Sequence, residues 1–250
     1  MSIRKFMIAT LLVLALAGCQ SHSVPVPVNS PEILEIAISP ILPPQTRTQL
    51  LSCASDQPSV SLILHEPQTS FPDIEGVDGL IWWGPPGDND SLRNAETTIV
   101  SLGEIGIKFF VHPSNPIKSL SPYELNRIFT GQIRQWMEIS PQEFDNPMSP
   151  LSYPRDHPLR TLFDSEVFEN HALTPNALIL PNPESLINEI ENDPQAIGFA
   201  PSHAASDSVK EIPITPALSS FQQPILGVIY DNENINLTNL FICVQSSSEG

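Results

Sequence analysis

Positive charge is scarce in this chain. Lys and Arg together number 11 against 28 Asp and Glu, for a formal net charge of −17. A nucleic-acid partner needs a basic face to displace counterions from phosphates, and this composition excludes one. The same deficit leaves no general field to attract an anion. Any anion site must be local, built from main-chain donors and one or two arginines. Catalytic motifs are also missing. The chain has no Gly-x-Ser-x-Gly elbow, no P-loop and no Gly-rich dinucleotide fingerprint. The histidines, at 22, 65, 112, 157, 171 and 203, have no Cys, His or Glu partner at metal-ligand spacing. No sequence rule singles out a catalytic pair of carboxylates. Asp88-Asn89-Asp90 and Asn192-Asp193 read as exposed turns, and a full calcium loop is absent. The expectation is a protein that is not an enzyme and holds no metal or cofactor.

Long apolar runs are lacking too. The run from Phe6 to Ala17 is too short to span a bilayer comfortably. It follows Arg4 and Lys5 and leads into Gly18-Cys19, which is the order of a signal peptide. Leu16-Ala17-Gly18-Cys19 has the form of a bacterial lipobox. Small residues fit the peptidase groove, and the thiol receives the diacylglycerol. This reading expects a signal peptide over 1–18, lipidation at Cys19 with palmitate-type chains, and a Ser-, Pro- and Val-rich tether over 19–31. An uncleaved anchor or an ordinary signal peptide is the alternative. Gln20 follows the cysteine where a diderm inner-membrane retention signal has Asp. The expected place is the cell envelope, extracytoplasmic and tied to the membrane by lipid. Beyond Cys19 only Cys53 and Cys243 remain. Export permits a disulfide between them, and two buried free thiols are the alternative.

The 27 prolines are scattered, so they punctuate turns and helix starts rather than mark disorder. Glu32 to Ser39 reads as a short buried strand, Pro43 to Cys53 as a helix, and Val60 to Leu64 as a second strand: a βαβ unit. Leu80 to Trp83 is another strand, stopped by Gly84-Pro85-Pro86-Gly87. Thr97 to Leu102 and Ile107 to His112 read as two strands around a turn at Gly103 to Gly106. Ser121, Pro122 and Glu124 form a capping box before Leu125, Ile128 and Phe129, and Gly131 ends that helix. Leu159, Leu162, Phe163 and Val167 mark a helix, as do Leu186, Ile187 and Ile190 after Asn182-Pro183. Strands follow at Ala196 to Ala200, Ile212 to Ile214 and Ile225 to Tyr230, then a last helix at Leu237 to Val244. The class is α/β.

Asn115-Pro116, Leu120, Leu125, then Ile128-Phe129-Thr130-Gly131-Gln132-Ile133 and Trp136 form an ordered set. This stretch resembles the PstS-like phosphate-binding proteins of ABC transporters. Ala196-Ile197-Gly198-Phe199 and the ending from Phe241 to Gly250 resemble the same family. The resemblance runs in order from Glu32 to the C-terminus. It implies a type II periplasmic-binding-protein-like fold, with two α/β lobes around a cleft. Lobe one would be 32–110 plus 206–250, and lobe two 111–205. Partners would be a small oxyanion such as phosphate, an ABC permease, and the membrane through the lipid anchor. The alternative is a divergent non-transport binding or sensing module of the same fold that has lost the phosphate site.

The family's ligand turns map onto named residues. Ser39 stands in the turn after the first strand, as a hydroxyl donor or as a plain helix cap. Pro40, Pro43 and Pro44 remove three main-chain donors from that turn. Arg155 matches the family's arginine, and Thr161 its threonine. Leu159 and Arg160 stand where the family has serine and glycine. Arg160 would compensate with a bidentate contact. Alternatively both arginines are solvated or paired with Asp156, Asp164 or Glu166. Of the adjacent Trp82 and Trp83, one reads as core and the other as a cleft wall, with Trp83 the candidate, suited to a ring-bearing ligand.

Overall fold

Apolar alternation and proline placement set the first elements. The computed structural model describes residues 30–67, 76–84, 97–140, 147–168, 171–231 and 233–248. The signal segment, Cys19, most of the tether and Asp88–Asp90 lie outside them. The chain divides into two units, Met1–Pro31 and Glu32–Gly250, and the second carries every element below. β1 (Glu32–Ile38) leads through α1 (Pro44–Ser55) to β2 (Val60–His65). β2 is parallel to β1 from Glu32↔Val60 to Ala37↔His65, which makes the expected βαβ unit. β3 (Gly79–Trp83) joins β1 in parallel on its other side.

β4 (Thr98–Val111) is one long strand, not two around a turn. Gly103 adopts φ +134 at a bulge between Ser101 and Gly103, so the chain bends there without breaking. The glycine cluster read as a turn is thus a kink within a strand. The rest of the order is α2 (Pro122–Phe129), β5 (Ser149–Ser152), α3 (Pro158–Val167), β6 (Leu178–Ile179), α4 (Pro183–Asn192), β7 (Ala196–Pro201), β8 (Lys210–Ile212), β9 (Gln222–Ile229) and α5 (Ile235–Ser248). The strands run β2-β1-β3-β9-β4-β7-β5-β6, with β8 also on β4.

β4 changes partners along its length. Thr98 to Gly106 pair with β9, while Ile107 to Val111 pair with β7 and Phe109 to Val111 with β8. The chain passes between these pairing groups within β4 and returns between β8 and β9. Lys210–Ile212, which the resemblance places in lobe one, pairs with the second group. The carboxyl ends of β1 and β3 run the same way as β4, toward Gly106. In the second group, β7 ends at Pro201 opposite Ile107, and β5 is parallel to β7. The carboxyl ends of the parallel strands therefore converge where β4 changes partners, the usual place for a ligand crevice in open α/β sheets.

The first group's helix-facing side is closed by α1 and α5. α5 lies so close that a Cβ on Gly227 would sit 2.7 Å from Phe241 Cδ2. Cys53 and Cys243 tie these helices by a disulfide, with Cα atoms 5.9 Å apart. The second group packs an aromatic core. Phe163 stacks on Phe199 at 4.2 Å and meets Phe129 edge-on at 4.7 Å.

The residues that carry the resemblance are scaffold. Ser121 Oγ accepts from Glu124 N at 3.2 Å and Glu124 Oε2 from Ser121 N at 2.7 Å, completing the capping box. Trp136 is fully buried and donates Nε1–H to Gln195 O at 3.2 Å. Asn115 Oδ1 accepts from Ile117 N at 3.0 Å, and Lys210 Nζ donates to the carbonyls of Asn115 and Ile117. Gly131 holds φ +76 at the end of α2, and a Cβ there would lie 2.6 Å from Thr174 Oγ1. Gly131→Ala is expected to cost about 2 kcal/mol through left-handed strain and that clash, read as a lower midpoint in urea unfolding.

Candidate functional site

Two cavities open at the convergent strand ends. One, of about 230 Å³, lies between Trp82, Trp83, Gly84 and Gln223 on one side and Pro158, Thr161, Leu162 and Ser165 of α3 on the other. The second, of about 610 Å³, lies between the turn Pro40–Leu42 and the start of α4, with Glu184 and Glu191 on its wall. Among the described residues, neither wall contains a Lys or Arg.

The start of α3 is where an anion would be cradled, because the first amides of a helix have no partner within it. Here they are largely spent. Pro158 at the first position has no N–H. His157 is the N-cap, and its Nδ1 accepts from Leu159 N at 3.3 Å. Thr161 N donates to His157 O at 2.9 Å. The imidazole stacks on the Tyr153 ring, with centroids 4.4 Å apart and planes 13° apart. Burial pushes its pKa down to about 4, against the opposing pull of Asp156, so at neutral pH it is an uncharged acceptor. Tyr153 donates its hydroxyl to Phe199 O at 2.7 Å, and burial holds that phenol well above its usual pKa.

The two arginines part company. Arg160 is buried and turned away from the cleft. Its Nε donates to Asp164 one turn on, Nη1 to Tyr153 O at 3.4 Å, and its guanidinium lies 5.7 Å over the Phe168 ring. The pairing comes from i,i+4 spacing on α3, which brings both side chains to one face. Arg155 stands exposed in the turn before α3 and forms no ion pair among the described residues. Ser39 is buried, and its hydroxyl accepts from Ile41 N at 3.4 Å within its own turn. Thr161 and Trp83 meet at the 230 Å³ groove. Both tryptophans are buried at 3–4% exposure, and both also border the groove. Trp83 donates Nε1–H to Ile105 O at 3.1 Å, and Trp82 packs with Ala37, Leu80 and Val228. The structure thus brings Thr161 and Trp83 together and leaves Ser39, Arg155 and Arg160 off that wall.

The sequence reading missed His157, Gln223 and Ser165. His157 carried a signal: it directly precedes the proline that opens a helix, the position of an N-cap. Ser152, at the carboxyl end of β5, is fully buried with its hydroxyl unpaired among the described residues. Among the described residues no group of His, Cys, Asp and Glu is placed to hold a metal ion, and no helix is long and apolar enough to cross a membrane.

No family pattern matches the chain, and no curated protein matches it in sequence. Solved structures do match its fold. A phosphate ABC transporter substrate-binding protein from Clostridium perfringens, with bound phosphate, superposes with a TM-score of 0.73 at 20% identity, over 85% of this chain and 93% of that one. An ABC-type phosphate transport receptor from Vibrio cholerae gives 0.66 at 17% identity, over 85% and 93%. The reduced OxyR regulatory domain from Pseudomonas aeruginosa gives 0.58 at 13% identity, over 87% and 98%. The fold is therefore the α/β, two-lobed, periplasmic-binding-protein-like fold that the sequence implied. It is shared by binding proteins and a regulator domain.

Proposed function

We propose that this chain is a lipid-anchored, extracytoplasmic solute-binding protein that captures a small molecule in a cleft between two lobes and presents it to an ABC permease. The observation behind it is the convergence of parallel strand ends and two cavities at the level where β4 changes partners. The lobes would follow 32–110 plus 206–250 and 111–205, with Ile107–Phe110 and Lys210–Ile212 moved to the second by their strand pairing and the hinge in β4. The lipobox at Leu16–Cys19 supports the anchor, and the Cys53–Cys243 disulfide fits an oxidising compartment. Metabolic acyl labelling tests the anchor. The intact chain is expected to carry label and Cys19→Ser to lose it.

Two ligands are in play. By resemblance, phosphate or a similar oxyanion comes first, with Arg155 as the cation free to reach it. The start of α3 favours the second reading, a module of the same fold that has lost the phosphate site. Pro158 offers no amide, His157 takes that of Leu159, and Arg160 is committed to Asp164. Equilibrium dialysis at low salt separates the two. Saturable phosphate uptake, lost on Arg155→Ala, supports the oxyanion. No uptake of phosphate, sulfate or tungstate supports the second reading.

A further inference from the structure

We infer that the groove between β3 and α3 takes a small, uncharged, ring-bearing molecule that donates N–H groups to it. This rests on the binding-protein reading above and names the class of its ligand.

Five polar groups on the wall each spend a hydrogen on a main-chain carbonyl. Thr161 Oγ1 donates to His157 O at 3.3 Å and Ser165 Oγ to Leu162 O at 2.8 Å. Trp83 Nε1 donates to Ile105 O, and the Gly84 amide to Pro224 O at 2.9 Å. Gln223 Nε2 donates to Ser220 O at 2.5 Å, and its Oε1 is left on the Gly84 side of the groove. What remains for a ligand from these five is acceptor lone pairs on two hydroxyls and an amide oxygen, beside the second N–H of Gln223. A fully ionised oxyanion such as sulfate brings only acceptors, and hydrogen phosphate brings too few O–H donors for its acceptor oxygens, so either would bury unpaired lone pairs against these, inside a chain of net charge −17. A ligand with N–H donors satisfies both sides.

The apolar part of the wall sets the rest. The tryptophans, Pro158 and Leu162 present ring and aliphatic surface. No Asp, Glu, Lys or Arg lies on the wall among the described residues, so nothing there neutralises a ligand charge. The volume of about 230 Å³ is below the range for drug-sized ligands and fits a single ring with a small substituent.

Benzamide and benzoate test this as a pair, because they share ring and shape but differ in donor and charge. Tryptophan emission of the intact chain in mild detergent reads binding. Benzamide is expected to give a saturable change and benzoate to bind roughly tenfold or more weakly. Thr161→Arg, at an exposed helix position, is expected to abolish the benzamide response, and Lys118→Ala, exposed and off the groove wall, to leave it unchanged. No saturable benzamide response, equal affinity for benzoate, or an unchanged response in Thr161→Arg overturns the assignment. Phosphate binding that depends on Arg155 also overturns it but leaves the binding-protein reading intact. A chain that takes up neither benzamide nor any oxyanion loses both.

Discussion

Removing the disulfide by Cys53→Ala with Cys243→Ala is expected to lower stability by about 5 kcal/mol in the chain-entropy limit. The bond closes a loop with a sequence separation of 190, and the penalty for leaving such a loop open falls on the unfolded chain. For a folded unit of this size the thermal midpoint should drop by roughly 10 °C or more. The bond also fixes α1 to α5, and Cys53 is buried, so the variant loses packing as well as the link. Calorimetric scans with and without reductant check this. The reduced native chain should follow the double variant, and a midpoint that reductant does not move would mean the bond does not form.

Stability is expected to fall with acid between pH 6.5 and about 4, with His157 as the main source. The folded chain holds this imidazole neutral, with its pKa at about 4 against an ordinary 6.5. Between those values the unfolded chain binds the proton and the folded chain does not, so stability rises with pH there. The contribution is complete above pH 6.5 and is lost as pH falls to about 4, amounting to about 3 kcal/mol. Protonation would also cost the cap, since Nδ1 could no longer accept from Leu159 N. Burial lowers His203 as well, with the same sign. His157→Asn keeps an N-cap acceptor and removes the proton site. Urea unfolding across this window should show a steep slope in the parent and a shallower one in the variant. Equal slopes would place the acid sensitivity elsewhere.

Elements with strong periodicity or caps were legible in the sequence. The capping box of Ser121 and Glu124 and the βαβ unit from Glu32 to His65 appear as the residues imply. β5 was not legible, because four residues with a proline at 150 carry no strand signal, yet Pro150 pairs beside Ile197 as a sheet position. β6 has only two residues, both exposed. The two-strand reading of β4 failed because a glycine at positive φ serves a bulge as well as a turn. At the site, spacing could place Arg160 near Asp164 but could not say which way the pair faces. The packing of Phe168 and Tyr153 decides that. Donor spending at the groove was invisible for the same reason: Thr161, Ser165 and Gln223 have donors in the sequence, and only the fold consumes them.

At the start of α3 and the end of β3 the amides of Leu159, Thr161 and Gly84 are already bonded and Pro158 has none, which leaves too few donors to cradle an anion. Amide NMR of the isotope-labelled chain, titrated with phosphate at low salt, tests it most directly. The account predicts no saturable shift at Leu159, Thr161 or Gly84, whose amides are bonded to His157 Nδ1, His157 O and Pro224 O. Saturable shifts at these amides, lost in Arg155→Ala, would show an anion cradled there and contradict the account.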